Sequence, residues 1–410
     1  MFSDIQLKYF EGGHRICQPS ETIKHNEDKL RTAGITRITN ITDLDRIGIP
    51  VFSAIRPSAQ GGSVSVYAGK GAKNEQAEAS AIMEGFERYS AEMKEEDYDK
   101  IIVSSIEDMD KDYIDPRTLY LPKDMDENKL NNLKLEWYPA VDIISEKEYY
   151  VPANAVFHPY IPHNKEATAI FKGNTNGLAS GNIIEEAVLH GIFEVIERDA
   201  WSIFELTHKN GKEIDINTIE NPIVLDLLNK FNSESINIKL IDITNDIGVP
   251  TVTASSDDNI LKDPALLCLG VGTHLDPNIA IIRALTEVAQ SRATQIHGTR
   301  EDTTRANFMR KAGYERMKRI NRQYFEEEED KKSIDDMNHL GTTSIKKDIE
   351  QCKKHLQNAG FNKILYTDLT REEIGVSASR VIIPGAEVYT IDPDRLGKRY
   401  LNFLRKSNNE

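Results

Sequence analysis

The sequence predicts an α+β fold in which a single large domain contains three related strand–loop–helix units. Three segments align with one another without gaps, and each has the spacing of polar and apolar residues that is typical of a helix. These segments are residues 80–88, 190–198 and 283–290. A short strand-like run precedes each of them, and the three runs are residues 64–67, 168–171 and 266–269. Elsewhere, short apolar runs alternate with turns and charged helical stretches, so strands and helices are mixed along the chain.

Residues that are typical of turns and of helix N-termini support this order of elements within the units. Glycines follow two of the strand-like runs, in Gly69-Lys70-Gly71 and Gly270-Val-Gly272. Asp276 and Pro277 form a typical start for the third helix, whereas Asn182 with Glu185 resembles a capping box at the start of the second. Helix N-termini and neighbouring glycine amides attract anions. We therefore expect phosphate groups to bind where the loops meet the helices.

A second echo links residues 47–50 with residues 247–250, which read Ile-Gly-Ile-Pro and Ile-Gly-Val-Pro. Each is followed by a β-branched residue in a run typical of a strand. The echo supports an internal duplication. Further along, residues 300–360 have the pattern of charged helices.

Composition narrows the class of protein. The chain has 51 Lys and Arg against 66 Asp and Glu, a formal charge of −15, which argues against a nucleic-acid-binding surface. No apolar run approaches the roughly 20 residues needed to cross a bilayer, and no signal-peptide pattern is present. Cys17, Cys268 and Cys352 are widely separated, so neither a disulfide framework nor a cysteine metal site is expected. We predict a cytoplasmic protein.

The 410 residues would permit two or three domains, but the spread of the related segments favours one unit over residues 1–410. Within it we expect an N-terminal segment, residues 1–60, that contributes to the functional site. Residues 61–300 would form the nucleotide-binding core, and residues 301–410 would form a C-terminal segment of helices and strands.

The three helical segments share acidic side chains at helical spacing. Residues at i, i+4 and i+7 lie on one face of a helix, so each segment directs two carboxylates, or a carboxylate and an amide, to the same side. The candidate metal ligands are Glu84, Glu87, Glu186, Glu194 and Glu197. Such acids are most often exposed partners of Lys and Arg, but their recurrence beside apolar residues such as Phe86 and Phe193 makes them costly without a cation. Mg²⁺ that bridges carboxylates and a polyphosphate is the simplest solution.

Three motifs in this sequence resemble those of the YcaO family. The first is Ser80-xxx-Glu84-xx-Glu87-Arg88, the second is Asn182-xxx-Glu186 with Glu194-xx-Glu197-Arg198, and the third is Glu287-xx-Gln290-x-Arg292. Together with residues 44–50 and 380–385, they extend the resemblance over most of the chain. It implies a site for ATP and Mg²⁺ of a non-standard kind, since the sequence has neither a P-loop nor a complete dinucleotide fingerprint.

The resemblance also implies roles for individual residues. The candidates for catalytic contacts with phosphate or substrate are Arg88, Arg198, Gln290 and Arg292. The nucleotide would be bound by Arg15, Thr22, Lys70, Ser80, Arg88, Asn182, Arg198 and Gln290. Ion pairing with glutamate is the alternative role for Arg88 and Arg198, and a surface role is the alternative for Arg15 and Thr22. His190 invites a general-base interpretation, although a packing or water-bound histidine is more common, and no hydrolase triad accompanies it.

YcaO proteins use ATP to activate a peptide backbone amide, so the resemblance implies an enzyme that releases ADP and phosphate while it modifies a peptide or protein. Among them, the chain is similar to stand-alone archaeal proteins that work with a TfuA partner. Those proteins place a thioamide on a glycine of methyl-coenzyme M reductase. Sulfide or another sulfur donor would then be the nucleophile, since none of the three cysteines lies in a reactive-looking motif.

Two alternatives stay open. Azoline or amidine formation on a ribosomal peptide would use a Cys, Ser or Thr side chain or a backbone amine as the nucleophile. Azoline-forming members commonly end in a proline-rich tail, whereas residues 405–410 contain no proline and none follows Pro393. The alternative of another class is an inactive nucleotide-binding scaffold, against which the intact acidic motifs argue. A homodimer is compatible with the sequence, and neither nucleic acid nor a membrane is expected as a partner.

Overall fold

The computed structural model describes residues 2–209, 211–298 and 305–407. The strands are β1 Arg37–Asn40, β2 Val51–Ile55, β3 Val66–Lys70, β4 Ile102–Ser104, β5 Leu135–Asp142, β6 Glu148–Pro152, β7 Leu178–Gly181, β8 Lys212–Glu213, β9 Ile236–Asp242, β10 Thr251–Asp258, β11 Leu269–Thr273, β12 Leu365–Asp368 and β13 Ser377–Ile382. The helices are α1 Pro19–Asn26, α2 Asn74–Ser90, α3 Glu95–Tyr98, α4 Glu127–Leu130, α5 Ile184–Thr207, α6 Pro222–Ser233, α7 Pro277–His297, α8 Arg305–Ala312, α9 Tyr314–Ile320, α10 Ile345–Asn358 and α11 Arg399–Ser407. The predicted α+β fold is confirmed.

The strands form three antiparallel sheets, and each sheet ends in a strand that leads into a long helix. The strand orders are β1-β2-β3, β11-β10-β9-β8 and β4-β5-β12-β13-β7, with β6 also paired to β5. The edge strands β3, β7 and β11 are followed by α2, α5 and α7, which carry the three related segments. The predicted strand–loop–helix unit is therefore present three times.

The three units close into a ring. Each long helix packs on its own edge strand and also on the edge strand of another unit: α2 on β7, α5 on β11 and α7 on β3. Apolar residues of each helix fill the space beneath, as Phe86 of α2 does, which is fully buried together with Tyr67 and Ala77. This arrangement brings the polar faces of α2, α5 and α7 towards one another.

Glycines in the edge strands allow the helices to approach closely. A Cβ atom on Gly69 would lie 2.2 Å from the carbonyl oxygen of Ala77 in α2, and one on Gly270 would lie 2.1 Å from that of Ala284 in α7. At Gly181 it would lie 2.7 Å from a backbone nitrogen of α5. Because real Cβ atoms do not come so close, larger residues are excluded at these positions. The glycines thus pack strand against helix, and Gly69 and Gly270 lie within strands rather than in turns. The expectation that phosphates bind where the loops meet the helices stays a prediction.

Two of the three predicted strand positions need correction. Residues 168–171 form no strand, because the backbone N–H groups of Ile170 and Phe171 donate instead to the side chain of Asn154, at 3.0 and 3.1 Å. The edge strand of that unit is β7, closer to the helix. In the third unit a 3₁₀ turn covers Pro264–Leu266, and β11 begins only at Leu269.

Of the two predicted helix starts, that of α7 is confirmed and that of α5 is wrong by one residue. Asp276 caps α7 through the backbone N–H of Asn278 and Pro277 is its first residue, as expected. The N-cap of α5 is Ile183 rather than Asn182, and the side chain that returns to Asn182 is that of Glu186, not Glu185. The helix α5 therefore begins one residue later than the capping pattern predicts.

The echo between residues 47–50 and 247–250 is confirmed as a structural repeat. Strands β2 and β10 follow directly, and Gly48 and Gly248 both have left-handed backbone conformations, with φ of 64° and 76°. Such conformations favour glycine because other residues are strained there. Within the predicted charged helices, α8, α9 and α10 are present, while residues 300–304 lie outside the described ranges, as do residues 408–410 of the C-terminal segment. Its division from the core stays a prediction.

None of the helices in the described ranges combines the length and the apolar character that a bilayer-spanning segment requires.

Candidate functional site

The acidic faces of α2, α5 and α7 meet where the three helices converge. The charge of Glu194 on α5 raises the pKa of Glu87 on α2, and the charge of Glu287 on α7 raises that of Glu197 on α5. Strand β3 closes the group, because Lys70 forms an ion pair with Glu287 and Gln290 donates a hydrogen bond to the carbonyl oxygen of Ala68. Four of the five predicted metal ligands, Glu84, Glu87, Glu194 and Glu197, thus lie together with Lys70 and Gln290.

Burial sets the electrostatics of these carboxylates. It raises the pKa of Glu87 well above its ordinary value and also raises that of Glu194, while the pKa of Glu197 rises to about 7. Burial acts in the same direction on Glu287, but Lys70 and Arg198 outweigh it and lower the pKa of that carboxyl. Loss of water makes the charged form unfavourable unless positive charge is near. The group as a whole therefore favours an added cation.

A divalent cation fits the residues present. Glu194 is half-buried and accepts no hydrogen bond from any residue in the described ranges, so its charge lacks the donors that would compensate for lost water. Among the described residues, no three acidic, histidine or cysteine side chains lie close enough to hold a metal ion by themselves. Mg²⁺ is usually bound by one or two carboxylates together with substrate phosphates. The donor set suits a metal that is shared with a nucleotide.

Two arginines flank the acids without being locked by them. Nη2 of Arg88 lies 3.3 Å from Glu84, and its Nε lies 3.7 Å from Glu87. Arg198 is 3.4 Å from Glu197, and its guanidinium carbon lies 5.3 Å from the ring centre of Trp201. These separations exceed the roughly 2.7–2.9 Å of a strong charge-assisted hydrogen bond. Both side chains can therefore turn towards a phosphate at low cost.

Glu186 differs from the other predicted metal ligands. Its Oε1 accepts a hydrogen bond from the backbone N–H of Ile16 at 2.7 Å, and its Oε2 accepts two from Asn182, at 2.8 and 2.9 Å. Thr22 in turn donates to the side-chain oxygen of Asn182, at 2.9 Å. Both carboxylate oxygens are thus already occupied, and Glu186 fastens the N-terminal segment onto α5. The structure brings Thr22 and Asn182 together, and their predicted contacts with a nucleotide stay predictions.

Arg15 and Ser80 lie at the edge of this group. Arg15 donates to the carbonyl oxygen of His14 at 3.0 Å, and burial lowers its pKa, with Glu186 opposing this shift. Ser80 is half-buried on α2, one turn before Glu84. Their predicted contacts with a nucleotide stay predictions.

His190 is held as a neutral acceptor. Nη1 of Arg283 lies 2.8 Å from its Nε2, and since a guanidinium cannot accept, the imidazole must carry its proton on Nδ1. Burial and the charge of Arg283 hold the pKa of His190 well below its ordinary value. Its accepting nitrogen is therefore engaged, which disfavours the general-base interpretation.

Arg292 lies outside the group, and the structure does not support its predicted role as a phosphate or substrate contact. It is fully buried, and its Nε and Nη2 donate to Asp45 at 2.6 and 3.1 Å. Nη2 also donates to Asp258 at 3.1 Å. Arg292 lies two residues after Gln290 on α7. Its side chain points away from the acidic face and into the core, towards Asp258 of β10. Its role in this arrangement is structural.

Sequence reasoning missed two arginines at the site. Arg283 occupies the register of Ser80 and His190 on its own helix, which was the available signal. Its Nε is buried and has no partner among the described residues. Arg380 of β13 donates to the backbone and side-chain oxygens of Asn174, at 2.8 and 3.1 Å. Its charge acts on Glu87 and Glu194, and burial lowers its pKa to about 10. Arg380 begins one of the motifs noted above, but spacing alone gave no reason to place it here.

Comparison with known proteins agrees with this geometry. A family model described as YcaO cyclodehydratase, ATP-ad Mg²⁺-binding, matches residues 68–387. A protein of Methanothermobacter thermautotrophicus is 55% identical over 385 residues, which cover 94% of this chain and 98% of that protein. A protein from the tfuA 3′ region of Rhizobium leguminosarum bv. trifolii is 31% identical over 400 residues, covering 95% of this chain and 93% of the other.

A solved structure extends the similarity to the whole fold. The structure of YcaO from Methanopyrus kandleri bound with AMPPCP and Mg²⁺ matches with a TM-score of 0.78 and 32% identity, covering 97% of this chain and 98% of that one. The family match spans the three helices, and these relatives cover nearly the whole chain. The chain therefore belongs to the YcaO family of ATP-dependent, Mg²⁺-binding enzymes that modify peptides.

Proposed function

We propose that this chain activates a peptide backbone amide with ATP and that sulfide is the nucleophile, so that the product is a thioamide. Sulfide adds to the amide carbon, the resulting oxyanion takes the γ-phosphoryl group, and loss of phosphate leaves the C=S bond. ADP and phosphate are released. The observation that carries the proposal is the convergence of Glu84, Glu87, Glu194 and Glu197 beside two loosely held arginines.

ATP with Mg²⁺ supplies the phosphoryl group that turns a poor leaving oxygen into a good one. The four carboxylates would hold the metal, since burial raises the pKa of Glu87, Glu194 and Glu197 and a nearby cation would offset that penalty. Arg88 and Arg198 would lie against the phosphate oxygens, where their forked donors stabilise developing negative charge. Thr22 and Asn182, which already contact each other, would bind the nucleotide on the side of the N-terminal segment.

The properties of the cysteines support an external source of sulfur. Cys17, Cys268 and Cys352 are all free thiols, the last two are buried, and burial raises the pKa of each above its ordinary value. A thiolate is the reactive form, and a raised pKa disfavours it. Free thiols also fit a reducing compartment, so we place the reaction in the cytoplasm. The sulfur atom would therefore come from sulfide or from a partner protein.

The relative from the tfuA 3′ region supports a TfuA-like partner. Because that relative covers 95% of this chain, the similarity extends over both the nucleotide site and the surface around it. As in the TfuA-associated archaeal proteins that the sequence resembles, the target would be a glycine in a protein such as methyl-coenzyme M reductase.

The test is ADP release by the full chain with a glycine-containing target peptide, sulfide and a TfuA-like protein. Turnover should require both peptide and sulfide, and the peptide mass should rise by the difference between sulfur and oxygen. Turnover that persists without sulfide would contradict thioamide formation.

The description of the family model as a cyclodehydratase favours a second candidate, azoline formation on a peptide that contains Cys, Ser or Thr. In that case ADP release should depend on such a residue in the peptide and not on sulfide, and the peptide should lose the mass of one water. An inactive scaffold would release no ADP with either peptide.

A further inference from the structure

A cavity of about 50 Å³ is lined by residues of α5, of β13 and of the chain that follows β13. Among the described residues of its lining, Arg380 and Arg395 are the charged ones, and none is acidic. Sites for drug-sized ligands have roughly 300–1,000 Å³, so neither a nucleotide nor a peptide fits this space. One bound water needs about 10–15 Å³, and the cavity therefore has room for a group of a few atoms.

The contacts of both guanidinium groups place them at the wall of this cavity. Nη1 and Nη2 of Arg380 donate to the backbone and side-chain oxygens of Asn174, at 2.8 and 3.1 Å, and Asn174 is itself a lining residue. Nη2 of Arg395 donates to the carbonyl oxygen of Leu119, and its guanidinium carbon lies 4.0 Å from the ring centre of Phe171. Because Leu119 and Phe171 also line the cavity, the two cationic groups border the same small space.

Neither guanidinium is paired with a carboxylate of the described residues. The hydrogen bonds that Arg380 and Arg395 donate to described residues all end on amide oxygens, which carry only a partial charge. Each terminal nitrogen of a guanidinium carries two hydrogens, so Arg380 retains one N–H on Nη1 and one on Nη2. Both side chains are more than nine-tenths buried, and a buried charge is costly unless an opposite charge is near.

The two positive charges also act on each other. Burial lowers the pKa of Arg380 to about 10, and the charges of Arg88 and Arg395 act in the same direction. Burial lowers the pKa of Arg395 to about 10 as well, and the charge of Asp392 opposes this shift. An anion in the cavity would offset the loss of water and the repulsion together.

The remaining lining favours an anion that holds its water weakly. Apart from Asn174 and Asn176, the other described residues of the lining are apolar, Phe171 and Ile383 among them. Phosphate carries more charge and several strong acceptor oxygens, so it would lose more hydration than this wall can replace. Hydrosulfide carries one charge, and its sulfur is polarizable and suits contact with an aromatic ring.

The cavity adjoins the acidic group. Val195, which lines it, directly follows Glu194 on α5, and the charge of Arg380 lowers the pKa of Glu194. Asn174 belongs to this lining and also to that of a neighbouring cavity of about 230 Å³, which Arg88 lines. An anion held here would therefore be next to the site of phosphoryl transfer.

We infer that this cavity binds one small, singly charged, weakly hydrated anion between Arg380 and Arg395, and that in the proposed reaction this anion is hydrosulfide. The identity of the ion rests on the proposed function, whereas the anion site rests on the two arginines. Both are binding residues that hold the nucleophile, and the metal and the phosphates stay with the acids, Arg88 and Arg198.

The test is an NMR titration of the full chain with sodium hydrosulfide, without oxygen, at pH 8 and constant chloride. It follows the Nε–H signals of ¹⁵N-labelled arginine, and those of Arg380 and Arg395 should shift until the site is saturated. Arg371 is the internal control, because it is similarly buried but forms an ion pair with Asp97 at 2.9 Å, so its signal should not move. Inorganic phosphate should bind at least tenfold more weakly than hydrosulfide.

Arg395→Met removes one of the two cations and should weaken hydrosulfide binding about tenfold or more, as expected for the loss of a hydrogen bond to a charged group. The matched control is Arg310→Met, whose guanidinium is 47% exposed and pairs with Asp263, and it should stay within twofold of the wild type. If Arg395→Met does not fold, the wild-type titration with its Arg371 control decides alone.

The anion site and the proposed function can fail separately. Absence of saturable shifts at Arg380 and Arg395, an equal shift at Arg371, phosphate binding as tight as that of hydrosulfide, or unchanged affinity in folded Arg395→Met would overturn the inference. The expected binding without any sulfide-dependent ADP release would retain the anion site and reject the proposed function. Sulfide-dependent ADP release without hydrosulfide binding in this cavity would do the reverse.

Discussion

Replacing Arg292 by methionine tests whether this residue belongs to the fold or to the nucleotide site. The guanidinium is fully buried between two carboxylates that are themselves buried, those of Asp45 and Asp258. Methionine has a similar length and no charge, so it would fill most of the space while removing three hydrogen bonds. The substitution leaves the acidic face of α7, with Glu287 and Gln290, unchanged.

The magnitude follows from what the two carboxylates retain. Asp258 keeps the guanidinium of Arg46 at 2.9 Å and two backbone N–H groups. Within the described ranges, Asp45 keeps only the backbone N–H of Arg46. Removing one partner of a buried pair typically costs about 3–5 kcal/mol, because a charge is left without compensation. We expect Arg292→Met to lower the free energy of unfolding by about that amount, chiefly through Asp45.

Urea unfolding gives the stability change, and a titration with AMPPCP and Mg²⁺ at a temperature where the variant is folded gives the nucleotide affinity. The affinity should stay within twofold of the wild type. Arg46→Met is the matched control, since its side chain is 27% exposed and its loss should cost only about 1 kcal/mol. A variant at Arg292 that unfolds normally but binds nucleotide much more weakly would refute the structural assignment and restore the catalytic one.

Three further predictions address the site, the core and pH. Glu84→Gln or Glu197→Gln should abolish Mg²⁺-dependent ATP turnover while circular dichroism and the urea midpoint stay close to those of the wild type; unchanged turnover would remove these residues from the metal site. Phe86→Ala should lower the free energy of unfolding by about 3–5 kcal/mol, because the ring is fully buried under α2, and a cost below 1 kcal/mol would contradict that packing. Burial raises the pKa of Asp348 to about 6, so the penalty for its charge is fully present above pH 6 and disappears as the pH falls towards 4. Asp348→Asn should therefore stabilise the protein by up to about 3 kcal/mol at pH 8 and by much less at pH 5, since asparagine still accepts from the backbone of Thr342; equal effects at both pH values in urea unfolding would count against it.

The helical part of the site could be predicted because it depends on local spacing. Glu84 and Glu87, or Glu194 and Glu197, stand on one face of any regular helix that contains them, whatever the rest of the fold does. The start of α7 at Asp276 and Pro277 was predictable for the same reason, since a cap depends on neighbouring residues alone. Local rules therefore placed the acids on their helices.

Features that depend on distant parts of the chain could not be read from spacing. Arg292 stands two residues after Gln290, and only the positions of Asp45 and Asp258 show that it points into the core. Arg380 reaches the acids because β13 lies beside β7 in the same sheet, and that strand order was not available from the sequence. Gly69 and Gly71, on either side of Lys70, resemble loop residues in the sequence. The close approach of a helix to a strand is a contact between elements, and it leaves no pattern among neighbouring residues.

The closed order of the three units explains why the acids are both buried and close to one another. The electrostatic contacts follow the packing of the ring: Glu194 of α5 raises the pKa of Glu87 of α2, Glu287 of α7 raises that of Glu197 of α5, and Glu287 pairs with Lys70 at the end of β3. One unit alone would leave its carboxylates in water, where their pKa values would not rise and a cation would be held weakly. Two neighbouring units are needed to bury each acidic face, so the site exists only when the ring is closed. A cation that neutralises these acids would therefore also stabilise the contacts between units, which makes nucleotide binding and the packing of α2, α5 and α7 parts of the same equilibrium.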